Sequence, residues 1–420
     1  MTIKLRNRLI ALVCLLIFSA LGGALFLSTS PKKPFAVILF IGDNITPTAL
    51  TASRLFAGGG DARLQLEDLP NMAACRNAAN DFSVPESASA STAIAAGRRV
   101  NKGNLCVDPT GSKLPSLLEI AALKGRATGL VTTGEITGIT PAAYYAKTAN
   151  SNDPSELLRQ FCAHHPFDIV AGGGSAAFDL SHAEGKLGET NDPLKIMADK
   201  GVAVSRNITD LENQPLWKKV PILGLMARGP LSNEEAGNAE TNAPSLSDLV
   251  RVSIKRLQDE SHGYLLVVDD PSIASAAASN DAETMFRRVL AFDRAVATAR
   301  RYAGDNALVI VTGRETIGGV QLNGYPFLKD KGVALLALNA QGYPSLCWST
   351  GPGFAPEEIP AGRKKGPALP GILSQPSAYP LQSGVGIAGD VLSMGIGKGS
   401  DKLHGFLDLT DIHSVVLDEL

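Results

Sequence analysis

Softer metal-ligating side chains are scarce in this sequence. Its 420 residues include five cysteines and six histidines, with no C-x-x-C pair and no cysteine–histidine cluster. That excludes a zinc–thiolate module. A charge excess of either sign is also missing. The 39 basic and 41 acidic residues leave a net charge of −2, so no basic field is available to hold nucleic acid. No internal repeat is visible. What is present is a hydrophobic content of 45% with 42 glycines and 25 prolines, which suits a loop-rich globular fold rather than disorder.

The N-terminus stands apart. Three basic residues in "MTIKLRNR" precede 19 uncharged residues from Leu9 to Leu27. Such a run is long enough to span a bilayer, with its positive flank on the cytoplasmic side. The reading is a signal anchor over 1–30, with a cleaved signal peptide ending near Ala20, Gly22 and Gly23 as the alternative. Either one places residues 31–420 outside the cytoplasm, in a periplasm or the extracellular space. Beyond Cys14, in the apolar run, the thiols are Cys75, Cys106, Cys162 and Cys347. In an oxidising compartment they form two disulfides, in any of three pairings, or they stay as buried free thiols.

Apolar strand-like runs alternate with helical patterns. "PFAVILFIGD" (34–43), "ATGLVTTGEIT" (127–137), "FDIVAGGG" (167–174), "GYLLVVDD" (263–270) and "NALVIVTGRE" (306–315) read as buried strands. "PSLSDLVRVSIKRLQ" and "AETMFRRVLAFDRAVATARRYA" read as amphipathic helices. This alternation predicts an α/β fold with a mostly parallel sheet covered on both faces. Polar residues cluster after the strands, at the C-terminal ends where such sheets carry their sites. The stretch 340–390 reads as loops. One strand end is odd: "VVDDPSIASAAASND" (267–281) has the outline of a catalytic loop but delivers mostly alanine.

These segments resemble the alkaline phosphatases, from about residue 34 to the end. "VILFIGDN" is similar to that family's first strand and metal-binding aspartate. "VPESASASTAIAAGRRV" is similar to its nucleophile helix, and "TTGEITGITPAAYYA" to its threonine loop. "PILGLMARGPL", "PSLSDLV", "LAFDRAVATA" and "LVIVTGRETIGG" follow as framework in the same order. The resemblance implies a three-layer α/β/α sandwich, two zinc ions and a magnesium, a serine nucleophile and a homodimer. Carried over by position, Ser87 matches the nucleophile, while Asp43, Thr140 and Asp269 match oxygen ligands of the magnesium. The other matched ligand positions carry Gly138, Ala274, Ala278, Arg314, Glu315 and Gly384. Shifting one residue replaces the pair Arg314–Glu315 by Gly313–Arg314, and the ligands are absent under either alignment. Ser151 stands where the resemblance implies a phosphate-clamping arginine.

Each surviving residue has a plainer reading. Ser87, Ser89 and Ser91 serve as N-cap and packing residues at a helix start. Glu86 and Asp270 read as solvated loop carboxylates, and Asn44 and Asn207 begin Asn-X-Thr sequons. Asp43 is expected to pair with Arg314, a fixed cation in place of a metal. The function expected is therefore a degenerate, inactive family member that binds an unidentified protein or small molecule, with no zinc. The alternative is a hydrolase using Ser87 and one magnesium ion held by Asp43, Thr140 and Asp269.

Overall fold

The computed structural model describes residues 12–19, 34–164, 167–179, 192–231, 243–323, 336, 343–354 and 375–420. The chain divides into Met1–Lys33 and Pro34–Leu420. In the first unit, residues 12–19 are helical, and the rest of the expected anchor lies outside the described residues. Among the described residues, no helix is long and apolar enough to cross a membrane.

The second unit is built on a ten-stranded sheet. Its strands are β1 (Ala36–Gly42), β2 (Asn71–Arg76), β3 (Ala127–Glu135), β4 (Ile169–Gly173), β5 (Ala203–Ser205), β6 (Ile222–Leu225), β7 (Tyr264–Asp270), β8 (Ala307–Gly313), β9 (Val391–Ile396) and β10 (His404–Asp408). Their spatial order is β10-β2-β9-β8-β1-β7-β3-β4-β6-β5. Only β9 runs against its neighbours. β1 lies in the middle and is buried along its whole length. Alternation splits its side chains between two cores, Ala36, Ile38 and Phe40 on one face and Val37, Leu39 and Ile41 on the other. A strand buried on both faces has to read as one continuous apolar run, and this one does.

One face is covered by α1 (Pro47–Gly58), α5 (Leu246–Leu257), α6 (Ser272–Ala278) and α7 (Ala282–Ala303). The other is covered by α2 (Ser87–Ala96), α3 (Leu117–Leu123), α4 (Ile139–Ala142) and α8 (Leu409–Leu417). Phe292 of α7 meets Phe40 edge-on at 5.6 Å, a contact that locks helix to strand. The 340–390 stretch is less irregular than expected. Strands Leu346–Gly351 and Ser377–Pro380 pair in a small second sheet, and Gly386–Ile387 pairs with Thr316–Ile317.

Register positions the site. Gly42 ends β1 level with Asp270 of β7 and Gly313 of β8. The residues that follow, Asp43 and Arg314, therefore emerge side by side, next to Asp269 and Asp270. Gly313 also has to be glycine, because a Cβ there would lie 2.5 Å from Val391 Cβ on β9.

Candidate functional site

Arg314 is the centre of the site. Its Nε donates to Asp43 Oδ1 at 2.9 Å and its Nη2 to Asp43 Oδ2 at 2.6 Å, a two-pronged pair. Nη2 also lies 3.0 Å from Glu315 Oε1. Nη1 donates to Thr140 Oγ1 and, at 3.3 Å, to Ser91 Oγ. The five N–H groups of a guanidinium thus face five oxygens of the chain itself. Arg314 and Asp43 are 4% and 2% exposed, so the pair is withdrawn from water. Burial opposes the charge on Arg314, but the carboxylates of Asp43 and Glu315 outweigh it and hold the guanidinium protonated. The expected Asp43–Arg314 contact is present.

Ser87 is the first residue of α2. Its hydroxyl donates to Glu315 Oε1 at 2.6 Å. The helix N-cap is Glu86, not a serine. Far from being a solvated loop acid, Glu86 accepts from the N–H groups of Ala88, Ser89 and Gly103. The free N–H groups that make a helix start attractive to an anion are therefore taken by this carboxylate. The serines are read correctly as packing residues: Ser89 donates to Glu86 O, and Ser91 reaches Thr140 Oγ1 at 3.3 Å.

At the end of β7, Asp269 accepts from Thr132 Oγ1 at 2.7 Å and, among the described residues, touches no cation within hydrogen-bond reach. Burial pushes its pKa up to about 7, although the nearby Arg314 pulls the other way. Asp270 is also buried, against expectation, because the hydroxyls of Thr133 and Ser272 and the Ser272 N–H bind it. Burial raises its pKa too. Glu315 is raised by burial and opposed first by Arg314. Asp43 and Glu315 thus share one guanidinium by contact, and Asp269 feels its charge only from a distance.

The remaining matched positions surround this group. Gly138 caps α4, and its N–H donates to Glu135 O. Ala274 and Ala278 are one turn apart on α6. The Gly384 N–H donates to Ala278 O at 2.7 Å, so these two positions do come together. Ser151 is buried, and its N–H donates to the carbonyl of Gly103, whose own N–H holds Glu86. Asn44 is fully buried and bonded to Ile317, which removes it as a glycosylation acceptor. All five thiols are free: Cys75, Cys106 and Cys162 are buried, Cys347 is half-buried and Cys14 is exposed. Sequence reasoning treated Glu315 only as a replaced position and missed its bond to Ser87, which depends on the loop after β8 folding back over α2. The capping by Glu86 had a signal, an acid directly before a run of small helix-forming residues.

A sequence model described as alkaline phosphatase matches residues 35–419. Alkaline phosphatase 4 of Bacillus subtilis (strain 168) is 29% identical over 296 residues, covering 67% of this chain and 61% of its own. Alkaline phosphatase 4 of Drosophila melanogaster is 26% identical over 383 residues, covering 77% and 63%. The chain therefore spans less than two thirds of the length of these relatives. The solved alkaline phosphatase of the Antarctic bacterium TAB5 superposes with a TM-score of 0.70 at 22% identity, over 92% of this chain and 98% of that one. The chain belongs to the alkaline phosphatase family.

Members of that family usually bind zinc and magnesium, and the residues here do not fit a zinc pair. The oxygens of Asp43 are already filled by a permanent cation. Gly384 has no side chain to offer, and a Cβ there would lie 3.1 Å from Ala277 O and Gly318 Cα. Ala274 and Ala278 carry no donor atom at all.

Proposed function

We propose that this protein has given up metal-dependent phosphomonoester hydrolysis and acts by binding, outside the cytoplasm, on an inherited phosphatase framework. The observation that carries this reading is the saturation of Arg314. Its N–H groups face Asp43, Glu315, Thr140 and Ser91, so none is left for a phosphoryl oxygen without breaking a buried contact. The electrostatics agree. A phosphate monoester brings about two negative charges to a group in which carboxylates outnumber cations. The helix N–H groups beside Ser87 are capped by Glu86, which leaves them closed to an incoming anion. The membrane-anchored, extracytoplasmic location rests on the uncharged run Leu9–Leu27 behind three basic residues.

A second reading, hydrolysis through Ser87 with one magnesium ion on Asp43, Thr140 and Asp269, is favoured by one contact. Ser87 Oγ lies 2.6 Å from a carboxylate able to take its proton. That reading requires Arg314 to leave both Asp43 and Thr140. Turnover of an aryl phosphate by the purified protein, with zinc and magnesium supplied separately and Ser87→Ala alongside, decides between them. The first reading expects identical traces for parent and variant under every metal. Magnesium-dependent turnover that disappears in Ser87→Ala would establish the second.

A further inference from the structure

Beside the sealed centre, at the same edge of the sheet, lies an open cleft of about 400–500 Å³, within the range of small-molecule sites. It is lined by Arg76 at the end of β2, by Asn77, Ser83 and Arg99, and by Gly389 and Asp390 just before β9. The sealed centre spends the donors of Arg314 on its own oxygens, whereas here polar groups are left over. Arg76 is exposed and has no carboxylate partner among the described residues. Arg99 is held by the carboxylate of Asp408, with Nε donating to Oδ1 at 3.3 Å and Nη2 to Oδ2. Its fork is therefore fixed while Nη1 remains available. Asn77 is 6% exposed, and its Nδ2 donates to the Arg314 carbonyl at 3.2 Å, which orients the amide and leaves its carbonyl oxygen without a partner. The Ser83 hydroxyl and the Asp390 carboxylate are likewise unpaired.

We propose that this cleft binds a small zwitterion, its phosphate-like or carboxylate group on Arg76 and Arg99 and its ammonium group on Asp390. The chemistry follows from the side chains. Two guanidinium groups, one already immobilised, suit a planar or tetrahedral oxyanion, and little freedom is lost when it binds. A plain anion gains the arginines but faces the unpaired Asp390 carboxylate, so a ligand with both charges is preferred over one with only the first. Asn77 adds an acceptor for an N–H group, and Ser83 adds a hydroxyl able to donate or accept. This site supplies a ligand class for the binding role proposed above, but it does not depend on the fate of Ser87.

The test is calorimetric titration of the full-length chain with 2-aminoethylphosphonate, whose carbon–phosphorus bond is not a phosphate ester, so binding is read apart from turnover. Inorganic phosphate and β-alanine are titrated in parallel. The expected result is saturable binding of the aminophosphonate, weakened about tenfold or more in Arg76→Ala. Asp390→Asn should weaken the aminophosphonate and tighten inorganic phosphate, so that the preference between the two closes. Tighter binding of β-alanine than of the phosphonate would support the cleft and assign a carboxylate as its anionic group. Both substituted residues are exposed, so the variants keep the parent fold. Absence of binding at millimolar ligand, or equal affinity in parent and Arg76→Ala, overturns the proposal.

Discussion

At the end of β1 the carboxylate of Asp43 meets a guanidinium. One strand over, at the end of β7, Asp269 and Asp270 meet only hydroxyl and amide donors. All three acids are buried, at the adjoining ends of two neighbouring strands. The difference shows how a buried carboxylate settles into a protein interior. A fixed cation in contact supplies full opposite charge. Neutral donors stabilise the charge too weakly to cancel desolvation, so Asp269 rises to about 7 and Asp270 rises as well. The centre therefore combines a locked ion pair with a neighbour whose charge depends on pH.

The largest effect expected is at the locked pair. Arg314→Ala leaves Asp43 and Glu315 buried without their cation, at a cost of about 3–5 kcal/mol in urea unfolding. If the guanidinium stands in for a metal ion, magnesium should stabilise this variant and leave the parent unchanged. A variant as stable as the parent would mean that the pair contributes nothing to the fold.

A smaller effect is expected one strand over. The folded pKa of Asp269 lies above its unfolded value, so the folded state holds the extra proton between about pH 4 and about pH 7. Stability from this group is present below that window and is lost as pH rises through it. Asp269→Asn keeps an acceptor for Thr132 but cannot ionise. It should be about 2–4 kcal/mol more stable than the parent at pH 8 and equal to it near pH 4. Parallel stability–pH curves for the two proteins would remove the contrast between the strand ends. The smallest effect is at the surface of the centre. Ser87→Ala removes one hydrogen bond to a carboxylate that Arg314 still holds, at about 1 kcal/mol or less in the same unfolding assay.

Much of the framework was legible along the chain. The five apolar runs read as strands became β1, β3, β4, β7 and β8, each displaced by no more than two residues at either end. The two amphipathic helices became α5 and α7. Strands β2, β5, β6 and β10 were harder to see. β2, "NMAACR", buries only alternate residues, and β5 spans three positions. A partly buried or very short strand leaves too little pattern to stand out from a loop. At the site, Asp43 facing Arg314 was legible because a carboxylate and an arginine end neighbouring strands. Asp270 and Glu86 were not. Each looks hydrophilic in sequence, yet one is satisfied by Thr133 from another strand and the other by a helix it caps.

What the sequence determined alone is the local pattern: which segments are strands or helices. Those are properties of residue type and of spacing within a few positions. Only the tertiary structure decided that Arg314 spends its further donors on Glu315, Thr140 and Ser91, and that Glu315 takes the hydroxyl of Ser87. Such pairings depend on the parallel register that brings the ends of β1, β7 and β8 level, and register is fixed by the packing of whole faces rather than by any one segment.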